Sequence, residues 1–323
     1  MGRPAVVLTR RWTRRAEEEL ARRYELRAHH EERELGRDEI VARCEGAVAL
    51  CPTASDPIPA ELIAALPESV RLIASFGVGV NHIDLEAAAA KGLAVSNTPG
   101  AVTEDTADLA FGLVLAVARN LARGDALVRS GRWRGVSVDD PLLGTRLWGK
   151  ALGVVGLGRI GAAVARRARG FGMSVLYHNR SPSPEAEREL DARYCRTLVE
   201  LLEGADVVTL HCPLTDETHH LIDAAALGRM KAGALLINAS RGPIVDEAAL
   251  AEALASGVIA GAGLDVYEFE PRVTEALKGL PNVVLSPHLG TATRETRDAM
   301  GLRVIENIDT FLADGRPVDQ VLP

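Results

Sequence analysis

Short apolar runs rich in Val, Leu and Ile alternate with helix-length segments along almost the whole chain. A strand buried on both faces is apolar throughout, and joining it to a parallel neighbour takes a crossover, usually a helix. The alternation therefore points to parallel sheets covered by helices on both sides. Over residues 1–100, AVVLTR, GAVALC, VRLIASFG and LAVSNT read as strands, with helices at 13–23, 36–44, 59–66 and 84–91. A long apolar helix is expected near 102–121, opened by Thr103 with acidic residues in its first turn. The stretch GRWRGVSVDDPLLGTRLWGK follows without a clear period. From residue 151 come six strand-like runs: ALGVVG, SVLYHN, DVVTLHC, ALLINAS, GAGLDV and VVLSP. Six parallel strands with crossover helices are the arithmetic of a complete dinucleotide-binding domain. The segment 291–313 reads as a final helix.

Composition narrows the function classes. With 323 residues, 47% of them hydrophobic and 25% charged, the chain has enough apolar surface for real cores. Its net charge of −7 argues against a nucleic-acid or anionic-membrane partner. No apolar run approaches the roughly 20 residues of a membrane span. The N-terminal MGRPAVVLTRRWTRR has no signal-peptide core. Cys44, Cys51, Cys195 and Cys212 form no CxxC pair, so a reduced, cytoplasmic compartment is expected. The histidine pairs 29–30 and 219–220 lack metal-ligand spacing, and no metal site is expected. The arginine pairs at 10–11, 14–15 and 22–23, interleaved with Glu17, Glu18 and Glu19, read as a solvated helix face.

Gly156-Leu157-Gly158-Arg159-Ile160-Gly161 fits GxGxxG, directly after an apolar strand and at the start of a helix. In that setting the first glycine makes the turn. The second lets pyrophosphate approach the backbone, and the third lets helix pack on strand. The end of the next strand should read the adenosine ribose, where an NAD site usually has an acid. Here it is LYHNRSPSP, with Asn179, Arg180 and Ser181 and no acid at 177–181. That suits a 2′-phosphate, so NADP is the expected cofactor with NAD as the alternative. A surface turn with an incidental arginine is the competing reading.

Three further segments follow apolar strands and so lie at the carboxyl end of the sheet, where open α/β sheets bind ligands: NASRGPIVDE, GLDVYEFEP and SPHLGTAT. They bring Arg241, Glu270 and His288 forward as a converging set. An arginine pairs with a substrate carboxylate, and a histidine hands a proton to a carbonyl oxygen. A carboxylate beside the imidazole favours its protonated form. Reduction of a 2-oxo acid asks for these three groups.

At these residues the chain resembles the D-isomer-specific 2-hydroxyacid dehydrogenase family, and within it the glyoxylate/hydroxypyruvate reductase branch. SFGVGVNHIDL, NTPGAVTEDTADLAFGLVLA, GKALGVVGLGRIG and HCPLTDETHHLI extend the match over nearly the whole length, with departures at Asn81 and Phe76-Gly77. The resemblance implies two Rossmann-like or flavodoxin-like α/β lobes with doubly wound parallel sheets and a cleft between them. Residues 1–100 and 291–323 would form a discontinuous substrate domain and 101–290 the dinucleotide-binding domain. It implies Arg241 as substrate binder, Glu270 as the partner of the histidine, and His288 as acid/base. The backbone N–H groups of Val78 and Gly79 would hold the substrate carboxylate. Asp265 and the carbonyl of Ala239 would receive the nicotinamide carboxamide, with Cys212, Pro213 and Thr218 along the cofactor. Ser240 and Gly290, in the same strand-end segments, complete the expected cofactor contacts. The irregular stretch with Trp133, Leu142, Leu143 and Trp148 would embrace a partner in a homodimer. The expected function is NADPH-favouring reduction of glyoxylate and hydroxypyruvate to D-2-hydroxy acids. The alternatives are a same-fold dehydrogenase for phosphite or a phosphorylated hydroxy acid, and a non-enzymatic nucleotide-sensing corepressor or scaffold.

Overall fold

A computed structural model describes residues 2–140 and 142–323. It divides into two compact units, Met1–Val102 with Thr291–Pro323, and Thr103–Gly290. In the first unit, β1 (Ala5–Leu8), β2 (Glu25–Ala28), β3 (Ala47–Cys51), β4 (Leu72–Ala74) and β5 (Ala94–Ser96) are parallel, in the order β5-β4-β3-β1-β2. This is the flavodoxin-like winding. Gln320–Val321 adds an antiparallel edge strand against β5. Val7, Leu50, Ile58 and Ile73 are fully buried in the core of this unit. Helix Arg14–Arg23 begins at Thr13, whose hydroxyl accepts from the Ala16 N–H. Its exposed face carries the Arg14–Glu18 and Arg22–Glu19 ion pairs, as a solvated face should.

The second unit contains β6 (Ala151–Val155), β7 (Ser174–His178), β8 (Ala192–Tyr194), β9 (Val207–Leu210), β10 (Leu235–Asn238), β11 (Gly261–Leu264) and β12 (Val283–Leu285). All are parallel, in the order β12-β11-β10-β9-β6-β7-β8. The sheet thus reverses its winding between β6 and β9, the place where such folds bind ligands. Its two faces carry separate cores, one around Leu201, Leu210, Leu236 and Leu250, the other around Val114, Val154, Val164 and Ile237.

Sequence reading falls short in three places. Six strands are expected here, and among the described residues there are seven; the added one is β8. Four are expected in the first unit, where β2 and Gln320–Val321 bring the total to six. All three extra strands lie at sheet edges. An edge strand is paired on one side only and need not carry the continuous apolar run that β12, also at an edge, still shows. The helix expected to reach 121 spans Thr103–Ala118 and ends in a turn, with Asn120 at φ +51°. A second helix, Leu121–Arg129, follows and buries none of its residues.

Candidate active site

The glycine turn after β6 shows a different reason for each of its glycines. Gly156 has φ +93°, and a Cβ there would lie 2.5 Å from the Cys212 nitrogen at the end of β9. A Cβ on Gly161 would lie 2.4 Å from the Gly156 carbonyl oxygen, so this position admits helix against turn. A Cβ on Gly158 would meet nothing within 4 Å. Gly158 instead caps helix Arg159–Gly170, so open space lies beside a helix N-terminus whose first N–H groups have no intrahelical partner. These features fit a pyrophosphate, with Arg159 and Ile160 in the helix's first turn. Asn179, just beyond β7, accepts the Leu157 N–H with its side-chain oxygen at 2.7 Å, pinning the turn to its neighbouring strand. Arg180 and Ser181 are exposed beside it.

Arg241, Glu270 and His288, the expected acid–base and substrate-binding set, follow the ends of β10, β11 and β12. After β10, Asn238 is buried; its amide donates to the Arg241 carbonyl at 2.9 Å and its oxygen accepts the Ser240 N–H at 3.1 Å. Arg241 donates from Nη1 to the Ser240 carbonyl at 2.7 Å. The next residue, Gly242, lies so close to the chain after β11 that a Cβ would fall 1.9 Å from the Tyr267 carbonyl. After β11, Asp265 is buried and accepts from the Ser286 hydroxyl at 2.6 Å, the Leu289 N–H at 2.7 Å and the Gly290 N–H at 2.8 Å. The His288 N–H donates to its carbonyl at 2.9 Å. Asp265 therefore organises the loop that presents His288, in the left-handed region at φ +54°. The imidazole Nδ1 lies 2.9 Å from Glu270 Oε2. An ionised carboxylate can only accept, so Nδ1 donates and Nε2 is left for a substrate. Glu270 Oε1 accepts the Tyr267 N–H at 2.9 Å.

Burial pushes the Glu270 carboxyl up. The His288 hydrogen bond and charge, the Tyr267 N–H and the Arg241 field more than offset this, holding it below the usual carboxylate range. Burial draws Arg241 down from its ordinary value, against the charge of Glu270, and it stays cationic.

The remaining expected residues of this unit cluster between the turn and these strand ends. The carbonyl of Cys212 accepts from the Ser240 hydroxyl at 2.6 Å. The Cys212 thiol is pushed up to about 11 by burial, so it is protonated and inert. Thr218 donates to the Pro213 carbonyl at 2.7 Å and accepts the Thr215 N–H at 2.8 Å, closing a compact loop. Ala239 is buried beside Ser240. Val78 and Gly79 belong to the first unit, in the loop after β4. There the Asn97 amide donates to the Val78 carbonyl at 2.7 Å. Among the described residues no cluster of His, Cys, Asp or Glu suits a metal ion.

Asn238, Gly242 and Ser286, which fix the loops carrying Arg241, Glu270 and His288, were not among the expected residues. Their signals were an amide just before the Arg241 turn, a Gly-Pro pair after it, and a hydroxyl two residues before His288.

The sequence pattern of the D-isomer specific 2-hydroxyacid dehydrogenase NAD binding domain matches residues 111–290. The chain is 44% identical to the glyoxylate reductase of Thermococcus litoralis over 312 residues, 96% of this chain and 94% of that protein. It is 45% identical to that of Thermococcus kodakarensis over 312 residues, 96% and 93% of the two chains. Among solved structures, the NADPH-dependent glyoxylate/hydroxypyruvate reductase of Sinorhizobium meliloti, in complex with NADP and malonate, superposes with a TM-score of 0.89 at 37% identity. That match covers 99% of this chain and 97% of that one. The TT0316 protein of Thermus thermophilus superposes with a TM-score of 0.91 at 45% identity, over 98% and 100%.

Proposed function

This chain belongs to the D-isomer specific 2-hydroxyacid dehydrogenases, NAD(P)-dependent oxidoreductases, and from that membership we propose that it reduces glyoxylate and hydroxypyruvate with NADPH in preference to NADH. The observation that carries the reading is the 2.9 Å His288–Glu270 hydrogen bond, with Arg241 close enough for its charge to act on Glu270. The glycine turn would hold the pyrophosphate of a nicotinamide cofactor, which when bound in its reduced form would supply the hydride. Arg241 pairs with the carboxylate of the 2-oxo acid and fixes which carbon is presented. We assign the backbone N–H groups of Val78 and Gly79, in the loop after β4, to substrate binding, and the first unit to the substrate domain. His288 keeps Nδ1 on Glu270 and gives its Nε2 proton to the substrate carbonyl oxygen, so no free alkoxide forms. Glu270 orients the ring and stabilises the imidazolium from which that proton leaves.

The cofactor preference rests on Arg180, exposed at the end of β7 where an acid would otherwise clasp a free ribose diol. When the cofactor is bound, Asp265 and the Ala239 carbonyl would hold its carboxamide, and the Cys212–Thr218 loop, Ser240 and Gly290 would flank it. The exposed Leu121, Trp133, Val136, Val138 and Trp148 support pairing of two copies through these residues. Four free, buried cysteines support a reducing, cytoplasmic setting.

The test is a spectrophotometric panel of glyoxylate, hydroxypyruvate, pyruvate and phosphohydroxypyruvate, each with NADH and NADPH. Glyoxylate and hydroxypyruvate with NADPH should give the highest kcat/KM. A higher kcat/KM for the phosphorylated acid, or no turnover of any, would overturn the reading.

A further inference from the structure

A second histidine–glutamate pair lies outside the reacting groups. His220 Nε2 donates to Glu268 Oε1 at 2.8 Å, and the His220 ring stacks on His219 with centroids 4.1 Å apart. The pair joins three segments. His220 ends the compact loop that runs from Pro213 through Thr218, and its own N–H donates to the Pro243 carbonyl at 2.8 Å, two residues beyond Arg241. Glu268 stands two residues before Glu270. Its Oε2 accepts the Glu247 N–H at 3.3 Å, while its own N–H donates to Glu247 Oε1 at 2.7 Å. Glu247 is 2% exposed and takes Thr274 on its other oxygen. Both oxygens of Glu268 are thus engaged by protein donors, which suits positioning and not proton transfer.

The backbone leaves little slack in this arrangement. Gly242 already packs against the Tyr267 carbonyl, so the Arg241 turn and the Glu270 turn move together or not at all. His220 adds the cofactor-side loop to that unit. We propose that the His220–Glu268 pair is a positioning device that transmits occupation of the 212–218 loop to the placement of Arg241 and Glu270, so that bound cofactor tightens binding of the carboxylate substrate. This rests on the cofactor and substrate roles given to those residues under the proposed function. Couplings of this kind typically change affinity about 5- to 150-fold, and the effect is reciprocal.

The experiment measures oxalate, an unreactive carboxylate mimic of glyoxylate, by titration calorimetry on the full protein, without cofactor and saturated with NADP. In the wild type, NADP should tighten oxalate by about 5-fold or more. In Glu268→Gln, and separately in His220→Gln, that ratio should collapse toward one while NADP still binds the free protein as before. The KM for glyoxylate should rise more than kcat falls. The double variant should be no worse than either single one, since both break the same link. A clamp with only a structural role would lower Tm in both variants and leave the ratio intact, which overturns the proposal. So does a wild-type ratio of one in a protein that reduces glyoxylate. A wild type that neither binds NADP nor reduces glyoxylate overturns the functional reading first, and this inference with it.

Discussion

The first strand of each sheet, β1 in one unit and β6 in the other, leads into a βα turn at the carboxyl end of a parallel, doubly wound sheet. The two turns are built for opposite ends. After β6 the backbone is glycine, with open space at Gly158. After β1 the same place is filled. The Thr9 hydroxyl donates to Asp56 Oδ2 at 2.7 Å, Arg10 Nε to Oδ1 at 2.9 Å, and the Thr53 N–H and hydroxyl to Oδ2 at 2.9 and 2.7 Å. Asp56 is 5% exposed. An incoming phosphate would meet a built-in carboxylate already holding those donors, so this turn is closed to anions. Topology sets where a ligand can bind; the residues of the turn decide whether one does.

The contrast is broken most severely at His288. His288→Ala should lower kcat for glyoxylate by about 10²- to 10⁴-fold, the usual contribution of a positioned acid, with NADPH still bound. Steady-state kinetics with a cofactor fluorescence titration measure both, and an undiminished kcat would move the proton donor elsewhere.

Next in size is Arg241→Lys, which keeps the charge but removes the planar fork. It should raise KM for the 2-oxo acid by roughly tenfold or more, since hydrogen bonds to charged groups contribute about 1.5–3 kcal/mol. Unaltered KM in a folded variant would show that Arg241 does not hold the carboxylate.

Arg180→Ala sharpens the comparison at the rim of the open turn. Because the side chain is exposed, a loss of about tenfold in kcat/KM for NADPH is expected, near the low end of that range. NADH should be unaffected, and the preference should shrink with added salt. Equal use of both cofactors by the wild type would remove Arg180 from the site.

The smallest effect on activity belongs to Asp56→Asn in the filled turn: none on either cofactor, but a loss of about 1–3 kcal/mol of stability at neutral pH. Burial pushes the Asp56 carboxyl up, yet bonds from Thr9, Thr53 and Arg10 hold it below its ordinary 3.8. A depressed carboxyl stabilises the fold fully above that ordinary value and loses the contribution as pH falls through the folded one. The gap between variant and wild type should therefore narrow below about pH 3.8 in denaturant titrations. A gap that held constant into acid would show that the charge is not what stabilises the turn.

Much of this architecture is legible in one dimension. The central strands are buried on both faces, so each had to be an unbroken apolar run, and GLGRIG could be recognised because its strand and helix flank it directly in sequence. Arg241, Glu270 and His288 were legible because each follows such a run by a few residues, which places it at the carboxyl end of the sheet. The edge strands β2 (ELRA) and β8 (ARY) left no such mark, because each is short, partly exposed and carries an arginine.

Tertiary structure alone decided what depends on distance between segments remote in the chain. That Nδ1 of His288 faces Glu270, that Asp265 gathers the 286–290 loop, and that His220 meets Glu268 across 48 residues are pairings between loops brought together only when the sheet is wound. Local sequence sets the period and the turn. Which polar side chain meets which is set by strand order, because order determines whose carboxyl ends are neighbours.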